Sequence, residues 1–245
     1  MSLAAWPYPR WIAHRGAGQL APENTLAALR LGAAHGYRMA ECDVKLSADG
    51  VPFLLHDTTL ERTTNGHGTA GDLPWHALSH LDAGSWHSPA FAGEPLPSLA
   101  AVAAWCQTES VCLNIEIKPT PGLETQTGHR VAHTAQALWT DAAVPPLLTS
   151  FQPESLAAAQ AAAPRLPRGL LLERLTPGWL AQAQQLGCVA VVCHHPWWTA
   201  EAATACHTAG LRTLAYTVNE PAHVQRLLGL GLDGLITDRV DVFAP

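Results

Sequence analysis

The sequence contains few charged residues and no surplus of positive charge. Asp, Glu, Lys and Arg together make up 14% of the 245 residues, and the formal net charge at pH 7 is -6. A chain of this sign repels the backbone of DNA and RNA, so we expect no nucleic-acid partner. Any phosphate group on a substrate must therefore be bound by local positive charge.

Long apolar segments and paired cysteines are absent as well. No run of about 18 apolar residues occurs, so we predict no stable membrane insertion. Residues 1–10 lack the basic segment and apolar stretch of a signal peptide, which predicts a cytoplasmic protein. None of the six cysteines forms a Cys-x-x-Cys pair, so a zinc ribbon is excluded and we expect reduced thiols in the core.

Several well-known catalytic signatures are also missing. The chain has no Gly-x-Ser-x-Gly motif, so there is no sequence motif for a nucleophilic serine. It also has no P-loop and no His-Glu-x-x-His motif. The segment 66–71 fits the pattern Gly-x-Gly-x-x-Gly, but it opens no recognisable helix. The strand–turn–helix context that a dinucleotide site requires is therefore lacking.

Short apolar runs alternate with Ala- and Leu-rich helical segments along the chain, and hydrophobic residues make up 48% of it. Eight units of this kind in about 245 residues predict an α/β fold, a TIM (β/α)8 barrel, with a doubly wound open sheet as the alternative. The predicted strands are Trp11–His14, Met39–Lys45, Cys112–Ile117, Leu147–Ser150, Gly169–Leu172, Val189–Cys193, Thr213–Tyr216 and Gly234–Ile236.

One stretch interrupts this alternation, at approximately residues 51–97. It begins with a short strand-like piece, Val51–Leu55, and continues without a clear period. This is too long for an ordinary connection between a strand and a helix. We therefore predict a small insertion after the second strand, on the catalytic face of the barrel. Since no linker or internal repeat is visible, we expect residues 1–245 to form a single domain.

Acidic residues cluster on two of the predicted strands. Glu41 and Asp43 are two residues apart, so both side chains point to the same face, and Glu116 lies on the next long strand. Three inward carboxylates at one end of a barrel repel each other unless a cation lies between them. Oxygen ligands suit Mg²⁺ or Ca²⁺ better than zinc. The alternative is a set of separate ion pairs with Arg15, Lys45 or Lys118.

Two histidines, His14 and His56, end predicted strands, which is where barrel enzymes place their sites. Imidazole titrates near neutral pH, so both are candidates for acid–base chemistry. Asn219 follows another strand, and its alternative role is to cap the helix that begins near Pro221. We expect Asp238 and Arg239 to form a structural ion pair. The weaker pocket candidates are Ser150, Phe151, His195, Trp197, Trp198, Tyr216 and Asn219.

Nine short motifs, taken in order, resemble the glycerophosphodiester phosphodiesterase family in its cytoplasmic bacterial form. They are Ile12-Ala13-His14-Arg15-Gly16, Pro22-Glu23-Asn24-Thr25, Glu41-Cys42-Asp43-Val44, His56-Asp57, Arg62-Thr63-Thr64-Asn65-Gly66, Asn114-Ile115-Glu116-Ile117-Lys118, Ser150-Phe151, Thr217-Val218-Asn219 and Gly234-Leu235-Ile236-Thr237-Asp238-Arg239. The resemblance extends from about residue 11 to about residue 240. Tyr216 is a departure, because the family often has Trp before Thr-Val-Asn.

The resemblance implies a TIM barrel that hydrolyses glycerophosphodiesters, the deacylated head-group esters of phospholipids. The products are sn-glycerol 3-phosphate and an alcohol, so the enzyme is a phosphoric diester hydrolase that requires one divalent cation, Mg²⁺ or Ca²⁺. The matching metal ligands are Glu41, Asp43 and Glu116, and the matching general acid–base pair is His14 and His56. The expected substrate-binding residues are Arg15 and Lys118, which contact phosphate, together with the pocket candidates Phe151, Tyr216 and Asn219.

Other functions stay open at this point. A lysophospholipase D-like phosphodiesterase acting on lysophospholipids is the main alternative. A barrel that only binds phosphoesters is disfavoured, because both histidines and all three carboxylates are present. The partner we expect is a small-molecule glycerophosphodiester, and a homodimer is compatible with the sequence. The residues do not choose between water and a substrate hydroxyl as the nucleophile.

Overall fold

Eight parallel strands close into a barrel in the computed structural model, which describes residues 6–243 and 245. Its sheet includes a ninth strand, and the strands are β1 (Trp11–Ala13), β2 (Met39–Leu46), β3 (Pro52–Leu54), β4 (Cys112–Ile117), β5 (Leu147–Ser150), β6 (Arg168–Leu172), β7 (Ala190–His194), β8 (Arg212–Tyr216) and β9 (Gly234–Thr237). β1 pairs with both β2 and β9, which closes the sheet. The predicted TIM barrel is confirmed, and the open-sheet alternative is wrong.

Helices surround this barrel on the outside. They are α1 (Leu26–Ala34), α2 (Trp75–Leu78), α3 (Leu99–Glu109), α4 (Glu124–Leu138), α5 (Pro153–Ala162), α6 (Trp179–Gln185), α7 (Ala200–Thr208) and α8 (Pro221–Gly229). Side chains of Thr25, Ser98 and Thr199 accept hydrogen bonds at the starts of α1, α3 and α7, and so satisfy free N–H groups there. No helix within residues 6–243 is long and apolar enough to cross a bilayer.

The strands are buried on both faces, as a barrel covered by helices requires. Apolar side chains such as Ile12, Met39 and Leu214 form one buried cluster. Every residue of β2 is buried, including its charged side chains. All six cysteines are free thiols, as expected, and five of them are buried.

The predicted insertion follows β2 and reaches to the start of α3. β3 runs antiparallel to β2, so it lies outside the parallel barrel. Beyond β3, the insertion contains α2 and two 3-10 turns, at Ala70–Asp72 and Pro89–Phe91. It has a small apolar core of its own, formed by Phe53, Leu55, Leu60, Ala70, Leu78, Ala83 and Leu96. That the whole chain from 1 to 245 is one domain stays a prediction.

Candidate active site

The three predicted carboxylates lie together at the carboxyl ends of β2 and β4. The register of the two strands sets Asp43 opposite Glu116, and Glu41 lies two residues earlier on the same face. One ligand atom from each of the three side chains lies within 4.8 Å of the other two. Their exposed fractions are 4%, 1% and 8% for Glu41, Asp43 and Glu116. The alternation of the strand has therefore brought three carboxylates into one buried cluster.

Burial and mutual repulsion make this cluster electrostatically unfavourable. Burial raises the pKa of Glu41 to about 8 and that of Glu116 to about 7, and the charge of Asp43 adds to both. The pKa of Asp43 falls to about 2, because Lys118 and Arg15 outweigh the effect of its burial. A divalent cation with oxygen ligands would relieve the repulsion, so the three residues fit such an ion.

The alternative prediction of separate ion pairs holds for two of its three basic side chains. Lys118 Nζ is 2.9 Å from Glu116 Oε1 and 3.4 Å from Asp43 Oδ1. Arg15 Nε is 3.4 Å from Asp43 Oδ2. For Lys45 that alternative is wrong, because the buried Nζ donates to the carbonyl of Lys118 at 3.0 Å. Burial lowers the pKa of Lys45 to about 8.

His14 is held between two carboxylates at the end of β1. Its Nδ1 is 2.6 Å from Asp238 Oδ1, and its Nε2 is 3.9 Å from Glu41 Oε2. Burial acts to lower the pKa of His14, but the hydrogen bond to Asp238 and the charge of Glu41 outweigh burial and raise it. An ionised carboxylate only accepts hydrogen bonds, so His14 donates through Nδ1 and leaves Nε2 toward the carboxylate cluster.

The arrangement around Asp238 corrects two predictions. Asp238 does not pair with Arg239, whose guanidinium binds Asp241 at 3.0 Å instead. Asn219 does not cap α8, whose capping position is Glu220, but donates from Nδ2 to Asp238 Oδ2 at 2.8 Å. The backbone N–H of Asp238 donates in return to Asn219 Oδ1 at 2.9 Å. Asn219 and Asp238 thus form a reciprocal pair behind His14.

His56 has a carboxylate partner of its own at the end of the insertion's first strand. Its Nδ1 is 2.7 Å from Oδ1 of the neighbouring Asp57. Burial lowers the pKa of His56, and Asp43 and Asp57 offset that effect only in part. The two candidate histidines are therefore each oriented through Nδ1 by a carboxylate, His56 by the adjacent Asp57 and His14 by the distant Asp238.

Arg15 lies beside the carboxylate cluster and has a strained backbone conformation. Its φ is +49°, in the left-handed region that side chains seldom adopt, and its N–H donates to Glu41 Oε2 at 3.0 Å. The guanidinium Nη1 donates to Glu23 Oε1 at 2.8 Å. Asn24, with φ at +58°, donates from Nδ2 to Asp43 Oδ2 at 2.8 Å and accepts from the N–H of Asp43. The β1–α1 loop thus holds both carboxylates of β2.

A cavity of about 310 Å³ lies above these residues, and it includes every predicted site residue except Asp43 and Asn219. Phe151 and Tyr216 form an aromatic wall, with ring centroids 5.8 Å apart in an edge-to-face arrangement. The Tyr216 hydroxyl donates to the carbonyl of Leu172 at 3.0 Å. The other weaker pocket candidates lie outside the lining, namely Ser150, His195, Trp197 and Trp198.

Several residues that shape the site were not given a role from the sequence. Asp57, Glu23 and Asn24 lie within motifs that resemble the family, and that is the only signal that could have indicated them. Glu173 lines the cavity as an exposed carboxylate. The contact of Asp238 with His14 joins residues 224 positions apart, so no local pattern could have indicated it.

Comparisons with known proteins agree with this geometry. Residues 14–242 match the model of the Glycerophosphoryl diester phosphodiesterase family. The chain is 32% identical to the glycerophosphodiester phosphodiesterase of Caldanaerobacter subterraneus subsp. tengcongensis over 235 residues, which cover 93% of each chain. It is similar to an Oleispira antarctica phosphodiesterase solved with the product sn-glycerol 3-phosphate, with a TM-score of 0.88, 33% identity and coverage of 94% and 93%.

A further structural relative is the glycerophosphodiester phosphodiesterase of Agrobacterium tumefaciens, with a TM-score of 0.80, 28% identity and coverage of 96% and 98%. The barrel, the carboxylate cluster and the family match together define the class of this protein. It is a phosphoric diester hydrolase built on a TIM barrel. Within that class, the chain belongs to the Glycerophosphoryl diester phosphodiesterase family.

Proposed function

We propose that this enzyme hydrolyses glycerophosphodiesters to sn-glycerol 3-phosphate and an alcohol, with the help of one divalent cation, Mg²⁺ or Ca²⁺. The observation that supports this most directly is the buried cluster of three carboxylates with two histidines on the same cavity. The relative from Oleispira antarctica was solved with sn-glycerol 3-phosphate, which is the product we propose here. The names of the family and of these relatives favour glycerophosphodiesters over lysophospholipids.

Glu41, Asp43 and Glu116 would hold the cation. Their oxygen atoms are the hard ligands that Mg²⁺ and Ca²⁺ prefer, and among the residues that the structure describes no nitrogen or sulfur ligand belongs to the cluster. A cation bound there would offset negative charge on the phosphoryl oxygens during the reaction. The raised pKa values of Glu41 and Glu116 support the assignment, since their ionisation needs a compensating positive charge.

His14 and His56 act in this proposal as the general acid–base pair. One imidazole accepts a proton from the attacking nucleophile, which is either water or a hydroxyl group of the substrate, and the other donates a proton to the leaving alkoxide. Asp238 and Asp57 orient the two rings through Nδ1, which leaves Nε2 of each ring for proton transfer.

Arg15 and Lys118 contact the phosphate, because they are the cationic side chains on the cavity lining. Arg15 offers a planar fork of donors, whereas Lys118 offers a compact charge. Phe151 and Tyr216 enclose the organic part of the substrate. The hydrogen bonds of Asn219 suit a role behind the site, where it orients Asp238, and direct contact with substrate stays a prediction.

The test is release of glycerol 3-phosphate from glycerophosphocholine and glycerophosphoethanolamine. Metal-stripped protein should be inactive, and added Mg²⁺ or Ca²⁺ should restore turnover. His14→Ala should lower kcat by at least about a hundredfold, since general acid–base catalysis typically contributes 10² to 10⁴. Turnover in the absence of metal, or none with either metal in folded protein, would contradict the proposal.

A matched control for that test is His133→Ala, on the outer surface of α4. His133 is an exposed histidine outside the cavity lining, so its loss should leave kcat unchanged. Lysophosphatidylcholine serves as the competing substrate. Release of lysophosphatidic acid from it, faster than release of glycerol 3-phosphate from the small diesters, would reassign the substrate.

A further inference from the structure

Arg62 lies in the insertion, outside the cavity lining, and yet it contacts both loops that contain catalytic candidates. We propose that Arg62 is a positioning residue, which fastens the loop of His56 to the loop of Arg15. This inference rests on the proposed function, because it assigns the purpose of the contact to the same reaction. The motif 62–66 drew attention in the sequence, but the site geometry gave its arginine no direct role.

The guanidinium of Arg62 binds two carboxylates at once. Nη1 donates to Glu23 Oε2 at 2.7 Å, and Nη2 donates to Glu23 Oε1 at 2.8 Å. On its other edge, Nε donates to Asp57 Oδ2 at 2.6 Å and Nη2 donates to Asp57 Oδ1 at 3.0 Å. Each of the two carboxylates is therefore bound in a bidentate way, which fixes its plane as well as its distance.

Glu23 and Asp57 are each also hydrogen-bonded to a residue that lines the cavity. Asp57 Oδ1 is 2.7 Å from Nδ1 of His56, and Glu23 Oε1 accepts from Nη1 of Arg15 at 2.8 Å. Arg62 thus stands between a candidate acid–base group and a candidate phosphate ligand. A lysine at position 62 could retain the charge, but its ammonium group could not align two carboxylates in one plane.

Hydrogen bonds and close packing fix the backbone of the segment around Arg62. Thr64 donates from its hydroxyl to the carbonyl of Leu60 at 2.7 Å, and the N–H of Leu60 donates to the carbonyl of Gly68. Gly66 packs so closely that an added Cβ would lie 2.7 Å from Leu81 Cδ1. The turn is thereby fixed on the small core of the insertion, which includes the buried Leu60.

Stability of the fold is a weak explanation for these contacts. The Arg62 side chain is 44% exposed, and ion pairs with that much solvent contact contribute little to folding. Two other hydrogen bonds already attach the insertion to the β1–α1 region. His87 Nε2 bonds to the carbonyl of Gln19, and the N–H of Ala27 donates to Glu94 Oε1. Among the contacts described between the two segments, the one through Arg62 leads on to catalytic candidates.

The test measures kcat and KM for glycerophosphocholine at saturating cation. Arg62→Gln and Arg62→Lys should both lower kcat by about tenfold to a hundredfold, because small misplacements of reacting groups have effects of that size. KM should change much less, since Lys118 and the three carboxylates keep their contacts. Arg239→Gln is the matched control, because Arg239 is 46% exposed and binds Asp241 through two hydrogen bonds. It should leave kcat and KM unchanged.

Two further readouts separate positioning from loss of folding. Arg62→Ala should regain activity with added guanidinium ion at concentrations below those that denature, and ammonium ion should not replace it. Asp57→Asn combined with Arg62→Gln should be little worse than the more damaging single variant, because residues that act through one contact are not additive. Full additivity, or kcat of Arg62→Gln near that of wild type, would overturn the proposal.

Hydrogen exchange of residues 16–25 and 56–66 gives a readout independent of turnover. Arg62→Gln should accelerate exchange in both segments, whereas Arg239→Gln should not. If wild-type enzyme releases no glycerol 3-phosphate, the proposed function fails. The exchange rates then still test whether Arg62 holds the two segments together. Unchanged exchange in both segments would then reject the positioning role as well.

Discussion

At the scale of single residues, the most consequential contact is the one between His14 and Asp238. The 2.6 Å hydrogen bond fixes which nitrogen of the imidazole holds the proton, and Asn219 in turn fixes Asp238. The orientation of His14 therefore depends on residues that follow β8 and β9. In the proposed function His14 is an acid–base group, so a carboxylate that orients its imidazole should affect turnover more than folding.

We expect Asp238→Asn to lower kcat by about a hundredfold or more, because the amide cannot stabilise the same tautomer and charge on His14. The measurement is the steady-state rate of glycerol 3-phosphate release at saturating cation. Asp241→Asn is the control, since Asp241 forms an exposed pair with Arg239 away from the cavity. If Asp238→Asn turned over at the wild-type rate, His14 would not need this partner.

The sequence predicted which carboxylates lie together, because the geometry that joins them is local. Glu41 and Asp43 share a face because side chains alternate along a strand, and Glu116 joins them through the parallel register. Asp238 was assigned to the wrong partner, because its contact with His14 requires the barrel to be closed. The ionic link from Arg62 to Glu23 spans 39 residues and is equally invisible in a local pattern.

At the scale of elements, the β1–α1 loop combines left-handed backbone conformations with close packing. Arg15 and Asn24 have φ values of +49° and +58°, and Gly16 and Gly18 also lie in the left-handed region. A Cβ added to Gly18 would overlap the backbone oxygen of Asp238. The loop is thus packed directly against the partner of His14, and only glycine fits there.

Gly18→Ala should therefore displace Asp238 and lower kcat, and the strained φ of +58° should also destabilise the fold. The two effects are separated by measuring kcat and the melting temperature on the same samples. Gly229→Ala is the control, because Gly229 ends α8 with nothing within 4 Å of an added Cβ. It should leave kcat unchanged. Equal kcat for both variants would show that the packing on Asp238 has no bearing on turnover.

Elements were predictable wherever burial imposed a period. Each predicted strand is present with ends shifted by at most one residue, because buried parallel strands read as continuous apolar runs. Inside the insertion the sequence predicted no element beyond the first strand, because turns stabilised by single side chains leave no period.

One such turn is anchored by Asp82. Its carboxylate accepts hydrogen bonds from the N–H groups of Gly84, Ser85 and Gly93 and from the Ser85 hydroxyl. These bonds, that of the Ser85 hydroxyl above all, lower the pKa of Asp82. A single carboxylate here replaces the ladder of backbone hydrogen bonds that a helix or strand would provide, and composition alone does not reveal which aspartate does so.

At the scale of the whole molecule, the carboxylate cluster links stability to pH and to cations. Folding raises the pKa of Glu41 from 4.5 to about 8, so the folded chain retains a proton that the unfolded chain has released. Stability must fall as pH rises through this interval. His14, whose pKa is also raised, acts in the same direction, whereas His56 acts in the opposite direction below its ordinary value of 6.5.

We therefore expect the melting temperature of metal-free protein to decrease between about pH 7 and about pH 8. Excess Mg²⁺ or Ca²⁺ should raise the melting temperature by several degrees, and by more at the higher pH, because the ion binds the ionised carboxylates. Differential scanning fluorimetry with and without EDTA measures both effects. Glu41→Gln should remove most of the pH dependence. A melting temperature that rises with pH in metal-free protein would contradict this assignment of charges.

The closure of the barrel between β1 and β9 also has a consequence for how the enzyme is made. A ribosome adds His14 to the nascent chain 224 residues before it adds Asp238. A chain synthesised only through β8 already contains all three carboxylates and both histidines, but not the strand that completes the barrel. Because β9 lies between β8 and β1, catalytic competence should arise as a single late event in biosynthesis, after β9 has left the ribosomal tunnel.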